Sequence, residues 1–311
     1  MKNLYIVIFF SVMPSFLVAQ NGEVNSSVLR KDTQNKEKVI TGKSPERNKI
    51  QYKNGDVYEG EFVKGKRQGE GTYIFSDGEK YSGQWFQDQQ HGRGVFTFKN
   101  GNVYDGLWYK DYQQGHGIMR YYNGDVYDGE WVMDKRNGIG RYTFANGAYY
   151  DGMWKNDVKN GHGRFVWKDG TAYVGDWNNN MKEGKGIYIY RGGEEYNGDW
   201  KNDLRNGKGV YKFSNGDVYE GDYLDDERTG QGKLHYKNGE EYTGRFLKGA
   251  KSGLGTMIWK NGDAYVGNWE NGLQSGQGKL TKKNKDIIEG QFRNGYMDGQ
   301  IIIHYADGSK F

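Results

Sequence analysis

A tyrosine recurs every 23 residues through most of this chain: Tyr58, Tyr81, Tyr104, Tyr127, Tyr150, Tyr173, Tyr196, Tyr219, Tyr242 and Tyr265, with Ile288 in the eleventh place. Two residues after each stands a glycine, from Gly60 to Gly290. Two further on stands an aromatic: Phe62, Trp85, Trp108, Trp131, Trp154, Trp177, Trp200, Tyr223, Phe246, Trp269 and Phe292. A second half follows with alternating Gly and apolar residues, as in Gly161, Gly163, Phe165 and Trp167, and closes on a turn such as Asn146-Gly147 or Asp169-Gly170. A fixed short period means a repeat architecture, in which each unit buries its apolar face only against its neighbours.

Apolar residues fall at every second position inside each half. That is the period of a strand with one buried face. Asn-Gly or Asp-Gly between two such runs marks a hairpin. Parity selects the loop. A two-residue turn at Asp77-Gly78 would put the two aromatic rows on opposite faces. A three-residue loop Ser76-Asp77-Gly78 sets Tyr73 opposite Tyr81, Gly71 opposite Gly83 and Gly69 opposite Trp85, so that all rings share one face. The second register is expected, because a slip of one residue splits the hydrophobic set. The glycines then leave bare backbone on which a ring can lie. The opposite face is expected to carry charge, as with Glu59, Glu61, Asp128 and Glu130.

Composition agrees with a thin sheet. Gly makes up 50 of 311 residues, aromatics 16%, and mean hydropathy is −0.99. Disordered chains are poor in aromatics. The two prolines are Pro14 and Pro45, so none interrupts the repeats. There is no Cys, which excludes disulfides and thiolate metal sites. The net charge of +4 is near balance, so nucleic acid is not an expected partner. Residues 1–19 read as a secretory signal peptide: Lys2, an apolar run from Leu4 to Val12, and small residues ending at Ala19. Residues 20–49 read as a flexible polar linker and 50–311 as the array. Export to a secreted, periplasmic or envelope location follows from that reading.

Tyr127-Asp128-Gly129-Glu130-Trp131, Gly138-Ile139-Gly140-Arg141-Tyr142-Thr143-Phe144 and Asn146-Gly147 closely resemble the MORN (membrane occupation and recognition nexus) repeat. The resemblance covers about residues 50–311 and implies an all-β, elongated, single-layer twisted antiparallel sheet of tandem hairpins. At about 4.8 Å per strand, 23 strands would span ~110 Å. Met119, Leu234, Met257 and Leu280 depart from the aromatic pattern, as do Lys282, Lys285, Ile288, Ile301 and Ile303, so the last two units read as a degenerate cap.

No constellation for chemistry stands out. The same-phase His116 and His162 should lie ~19 Å apart, too far to share a metal. The acidic residues are spread one phase per repeat, and the Gly-x-Gly elements lack a phosphate loop's lysine. No enzyme activity, cofactor or metal is expected. The expected role is an exported scaffold that binds a protein partner or a second copy. An alternative is anionic-lipid binding through basic inter-repeat loops, with Lys64, Lys66, Arg67, Lys135 and Arg136 as contacts. A second alternative is carbohydrate or cell-wall binding through exposed Tyr and Trp.

Overall fold

The computed structural model describes residues 45–311. The expected signal peptide and nearly all of the expected linker lie outside the described residues. Among the described residues twenty-three strands follow one another in chain order, and each pairs antiparallel with its neighbours in the chain. They form one open sheet of a single layer. The first strand, β1 (Glu46–Gln51), starts four residues before the expected start of the array at 50. It is followed by β2 (Val57–Val63), β3 (Lys66–Ile74) and β4 (Lys80–Phe86), and the pattern runs on to the last strand at Tyr296–His304.

The expected register is present. Gly69 faces Trp85, Gly71 faces Gly83 and Tyr73 faces Tyr81. Phe75 N–H donates to the Glu79 carbonyl at 2.9 Å and Gly78 N–H donates back to the Phe75 carbonyl at 3.0 Å, closing the three-residue loop. Gly78 has φ +96°, a left-handed value that a side chain would strain. Lys285 takes the same place at φ 74° in the tenth repeat.

The other connection corrects the sequence reading. Lys64 to Arg67 and Lys135-Arg136 were expected in loops. The loop is instead a two-residue turn, Lys64-Gly65 or Met133-Asp134, with positive φ at both positions, and Lys66, Arg67, Lys135 and Arg136 already belong to strands. Such a turn matches the twist of its strands. Asn and Asp tolerate the left-handed region, which accounts for Asn156-Asp157, Asn202-Asp203 and Asp225-Asp226. Just beyond the turn the register slips: Gly152 pairs Gly163 but Trp154 pairs Lys159, so Met153 faces three residues. This bulge brings the residue after the turn, two places past the tip, back onto the ring face.

The core is the ring layer itself. Ten repeat tyrosines are at most 1% exposed and the repeat tryptophans at most 7%. Each Tyr ring lies over two opposed glycines; a Cβ at Gly140 would land 2.6 Å from Tyr127 Cζ. The Tyr127 hydroxyl donates to the Glu130 carbonyl at 3.0 Å, and Trp131 Nε1 donates to the Gly117 carbonyl at 3.1 Å. These bonds explain Tyr and Trp in place of Phe: each ring buries its apolar body and satisfies its one polar atom. Trp131 meets Tyr127 and Tyr104 edge-on at 5.2 and 5.4 Å, and this alternation runs the length of the sheet. The ladder rings cover one another.

The opposite face is charged in part, as expected, with cross-strand pairs such as Lys208–Asp222 at 2.5 Å. It also shows apolar groups, with Ile139 69% and Leu254 70% exposed. In the cap, Asp263 would find no hydroxyl at Leu280, where earlier repeats place a tyrosine on the equivalent acid (Tyr142 on Asp125, 2.7 Å). Lys282 replaces that bond, with Nζ 2.8 Å from Asp263 Oδ2. A departure that looked degenerate therefore conserves the contact by other means.

Candidate functional site: a cation row on the ring face

The bulge places one residue per repeat over the ring layer: Arg67, Gln90, Gln113, Arg136, Lys159, Lys182, Arg205, Arg228, Lys251 and Gln274. The cations lie over the aromatic ring of the next repeat, an indole except at Arg205 and Arg228. Arg67 lies 4.2 Å from the Trp85 centroid, Arg136 4.4 Å from Trp154, Lys159 4.0 Å from Trp177 and Lys182 4.4 Å from Trp200. Half-desolvated contacts of this type contribute about 0.5–2 kcal/mol each. Burial brings the Lys159 ammonium down to about 8 and also lowers Lys182 and Lys251.

Each row member is tied to the following repeat. Asp157, the second residue of the next turn, donates its N–H to the Arg136 carbonyl at 3.0 Å. Its Oδ1 accepts from Arg136 N at 3.0 Å and Nε at 3.1 Å. Asp88, Asp111, Asp134, Asp203 and Asp226 repeat the motif, and Asn180 supplies the amide version. On the opposite edge, acids brace the next three-residue loop. Asp125 accepts from Ala145 N at 2.8 Å as well as from Tyr142, and those bonds hold its carboxyl below the usual range against the opposing cost of burial.

The expected site residues therefore separate into groups. Tyr81, Trp85, Tyr104, Trp108, Tyr127, Trp131, Tyr150, Trp154, Tyr173, Trp177, Tyr196 and Trp200 are buried and form the ladder. These rings are therefore not the exposed aromatics that the carbohydrate reading invoked, whereas Tyr109 and Tyr122 are exposed. Arg67 and Arg136 turn inward over indoles. Lys64, Lys66 and Lys135 remain exposed at the turn edge. Sequence reasoning missed the cation row because it assigned these residues to loops; their 23-residue recurrence was the available signal. Beside the row runs a second line of rings, including Tyr142, Phe144, Trp167, Tyr188 and Tyr190, only partly buried.

The fold and this face define a tandem β-hairpin repeat protein whose recurring feature is a ring layer. The MORN repeat model matches eleven times, at residues 58–80, 81–103, 104–126, 127–149, 150–172, 173–195, 196–218, 219–241, 242–264, 265–287 and 289–310. The chain belongs to the MORN repeat family. No curated protein matches it. Among solved structures it is similar to the TCP10 domain of Danio rerio CPAP in complex with a STIL peptide, at 12% identity and TM-score 0.36, covering 79% of this chain and 100% of that one. It is also similar to the Drosophila melanogaster SAS-4 TCP domain in complex with a proline-rich motif of Ana2, at 15% identity and TM-score 0.32, covering 50% and 85%. Superpositions this loose bear on neither activity nor partner.

Proposed function

We propose that the array is an exported, non-catalytic scaffold that holds an extended, acidic protein segment along its ring face. One observation carries the reading: from Arg136 to Lys251 a cation and a partly buried ring recur once per repeat along a continuous face. Two strand spacings make the repeat step about 9.6 Å. A polyproline II segment has three residues per turn and rises ~3.1 Å per residue, so it presents the same side every ~9.3 Å. Aromatic-lined grooves take such segments at low entropic cost, because the ligand is already extended. An acid at every third residue of the partner would come abreast of successive row members and would pair directly with those that have no acid in the chain, Lys159, Arg228 and Lys251, and these weak contacts would add. Histidines of the other face lie beside carboxylates, as in His116–Asp128 at 2.8 Å and His162–Asp176 at 3.1 Å, in separate exposed pairs and not in one converging cluster.

The test is a titration of synthetic proline-rich peptides against the full chain. Glu at every third position should bind in a salt-sensitive manner, and moving Glu to every fourth position should weaken binding about tenfold. Equal binding of the two, or none, would remove the reading. Export is checked by fractionation and N-terminal sequencing, with Gln20 as the expected first residue.

A second reading is favoured by the turn edge. Exposed Val63, Val132 and Met133 lie beside Lys64, Lys66 and Lys135, the composition of a membrane-surface contact. Co-sedimentation with anionic vesicles at low salt should succeed on this reading and be lost on charge reversal at those three lysines.

A further inference from the structure

The ring ladder changes in the eighth and ninth repeats. Tyr223 and Phe246 stand where Trp200 and Trp269 flank them, so no indole N–H reaches the Gly209 and Gly232 carbonyls. The Tyr223 hydroxyl makes no hydrogen bond among the described residues, although its ring is buried. Burial raises its ionisation to about 12, and Arg205 and Arg228 oppose the shift. A cleft of about 290 Å³ opens there on the ring face, lined by Arg205, Tyr211, Phe213, Tyr223, Arg228 and Lys248. Two acids, Asp226 and Glu227, also border it.

The two arginines differ in one respect. Arg205 donates Nη2 to the Asp226 carbonyl at 2.8 Å, while its backbone N–H and its Nε both donate to Asp226 Oδ1 at 2.9 Å. Arg228 keeps the first bond, Nη2 to the Gly249 carbonyl at 2.8 Å. It lacks the carboxylate, because Gly249 replaces Asp. Among the described residues no acid pairs with Arg228. Its guanidinium lies 5.7 Å from the Phe246 centroid, against 4.2 and 4.4 Å for Arg67 and Arg136 over their indoles. Two donors that converge on a carboxylate in the neighbouring repeat are thus left open beside a free phenol, in the one cleft where the ladder is thinned. Charge-assisted bonds from an arginine fork are the strong form of this contact.

We propose that the Arg228 cleft is a carboxylate-binding site, which receives in trans the acid that Asp226 supplies in cis to Arg205. It rests on the scaffold reading for its natural occupant, an acidic side chain of the extended partner. The chemistry itself does not depend on that reading, because the chain shows the ligand geometry at Arg67, Arg136 and Arg205.

The experiment follows the Nε–H resonances of ¹⁵N-arginine in the full chain during titration with glutarate, with chloride at matched ionic strength and inorganic phosphate as parallel arms. The Arg228 signal should move saturably with glutarate while the Arg205 signal stays. Gly249→Asp should reproduce the shifted position without ligand and weaken glutarate binding at least about tenfold, the factor for loss of one charged contact. Asp already occupies this turn position at φ 69° in residue 226, so the substitution suits the backbone. No saturable shift, an undiminished shift in Gly249→Asp, or an equal shift with phosphate would overturn the assignment to a carboxylate. If glutarate binds and no acidic peptide does, the site stands and the extended-partner reading fails.

Discussion

The fourth and eighth repeats have the same strands, the same turns and the same buried tyrosine, yet they do different things with one arginine. In the fourth, Arg136 is closed between Trp154 and Asp157 of the fifth repeat. In the eighth, Arg228 meets a smaller ring and a glycine. The backbone scaffold is indifferent to the exchange, because the turn needs only a left-handed residue and the ladder only a ring. What changes is whether the cation's charge is met inside the chain or left for a ligand. In a repeat protein, local contacts of this type are close to additive, so one unit can be opened without loosening its neighbours.

The largest effect should come from breaking the closed version. Trp154→Ala removes a buried indole, its bond to the Gly140 carbonyl and the platform under Arg136. The expected cost is about 3–5 kcal/mol, read as a lower urea midpoint with hydrogen-exchange protection lost first in the fourth to sixth repeats. A loss spread evenly over the sheet would mean that the repeats are not energetically local. Asp157→Ala should cost less, about 1–3 kcal/mol, since it strands two donors of Arg136 at a partly exposed edge. It should also give the Arg136 Nε–H a response to added carboxylate that wild type lacks.

Sharpening the comparison from the other side, Tyr223→Trp combined with Phe246→Trp restores the regular ladder. Two indole bonds would form to the Gly209 and Gly232 carbonyls, for a gain of about 1 kcal/mol each at most. The same variant should close the cleft and abolish the glutarate response. A destabilised double variant would show that the surrounding strands are built for the smaller rings.

The smallest effect concerns pH. Lys159 has Asn180 in the place of an acid, and burial lowers its folded value from 10.5 to about 8. The unfolded chain holds that proton up to higher pH, so stability should rise from about pH 8 toward 10. Above that, buried tyrosines such as Tyr265, raised by burial to about 12, reverse the trend: the unfolded phenol ionises near 10 while the folded one stays neutral. Denaturation midpoints at pH 7.5 and 9.5 (roughly the limits of that window) should diverge in wild type. The gap should narrow in Lys159→Gln, and Lys182 and Lys251, also lowered by burial, should keep the remainder.

Tyr127, Gly129 and Trp131 carried most of the fold in the sequence, because their period and parity permit one face and one loop length. The row at Arg136 and Arg228 was harder to read. Its members vary among Arg, Lys and Gln, and a basic pair beside a turn looks like a loop until the register slip is known. The sequence by itself determined the repeat, the strand pairing across the Asn-Gly and Asp-Gly loops and the side on which the rings lie, since alternation leaves no other way to bury them. Only the tertiary structure decided that those rings are closed to ligands, that the arginines fold inward over them, and that Arg228 alone among the arginines of its row is left without an acid. Those facts depend on contacts between residues about one repeat apart, where a bulge of a few ångströms chooses which side chains meet.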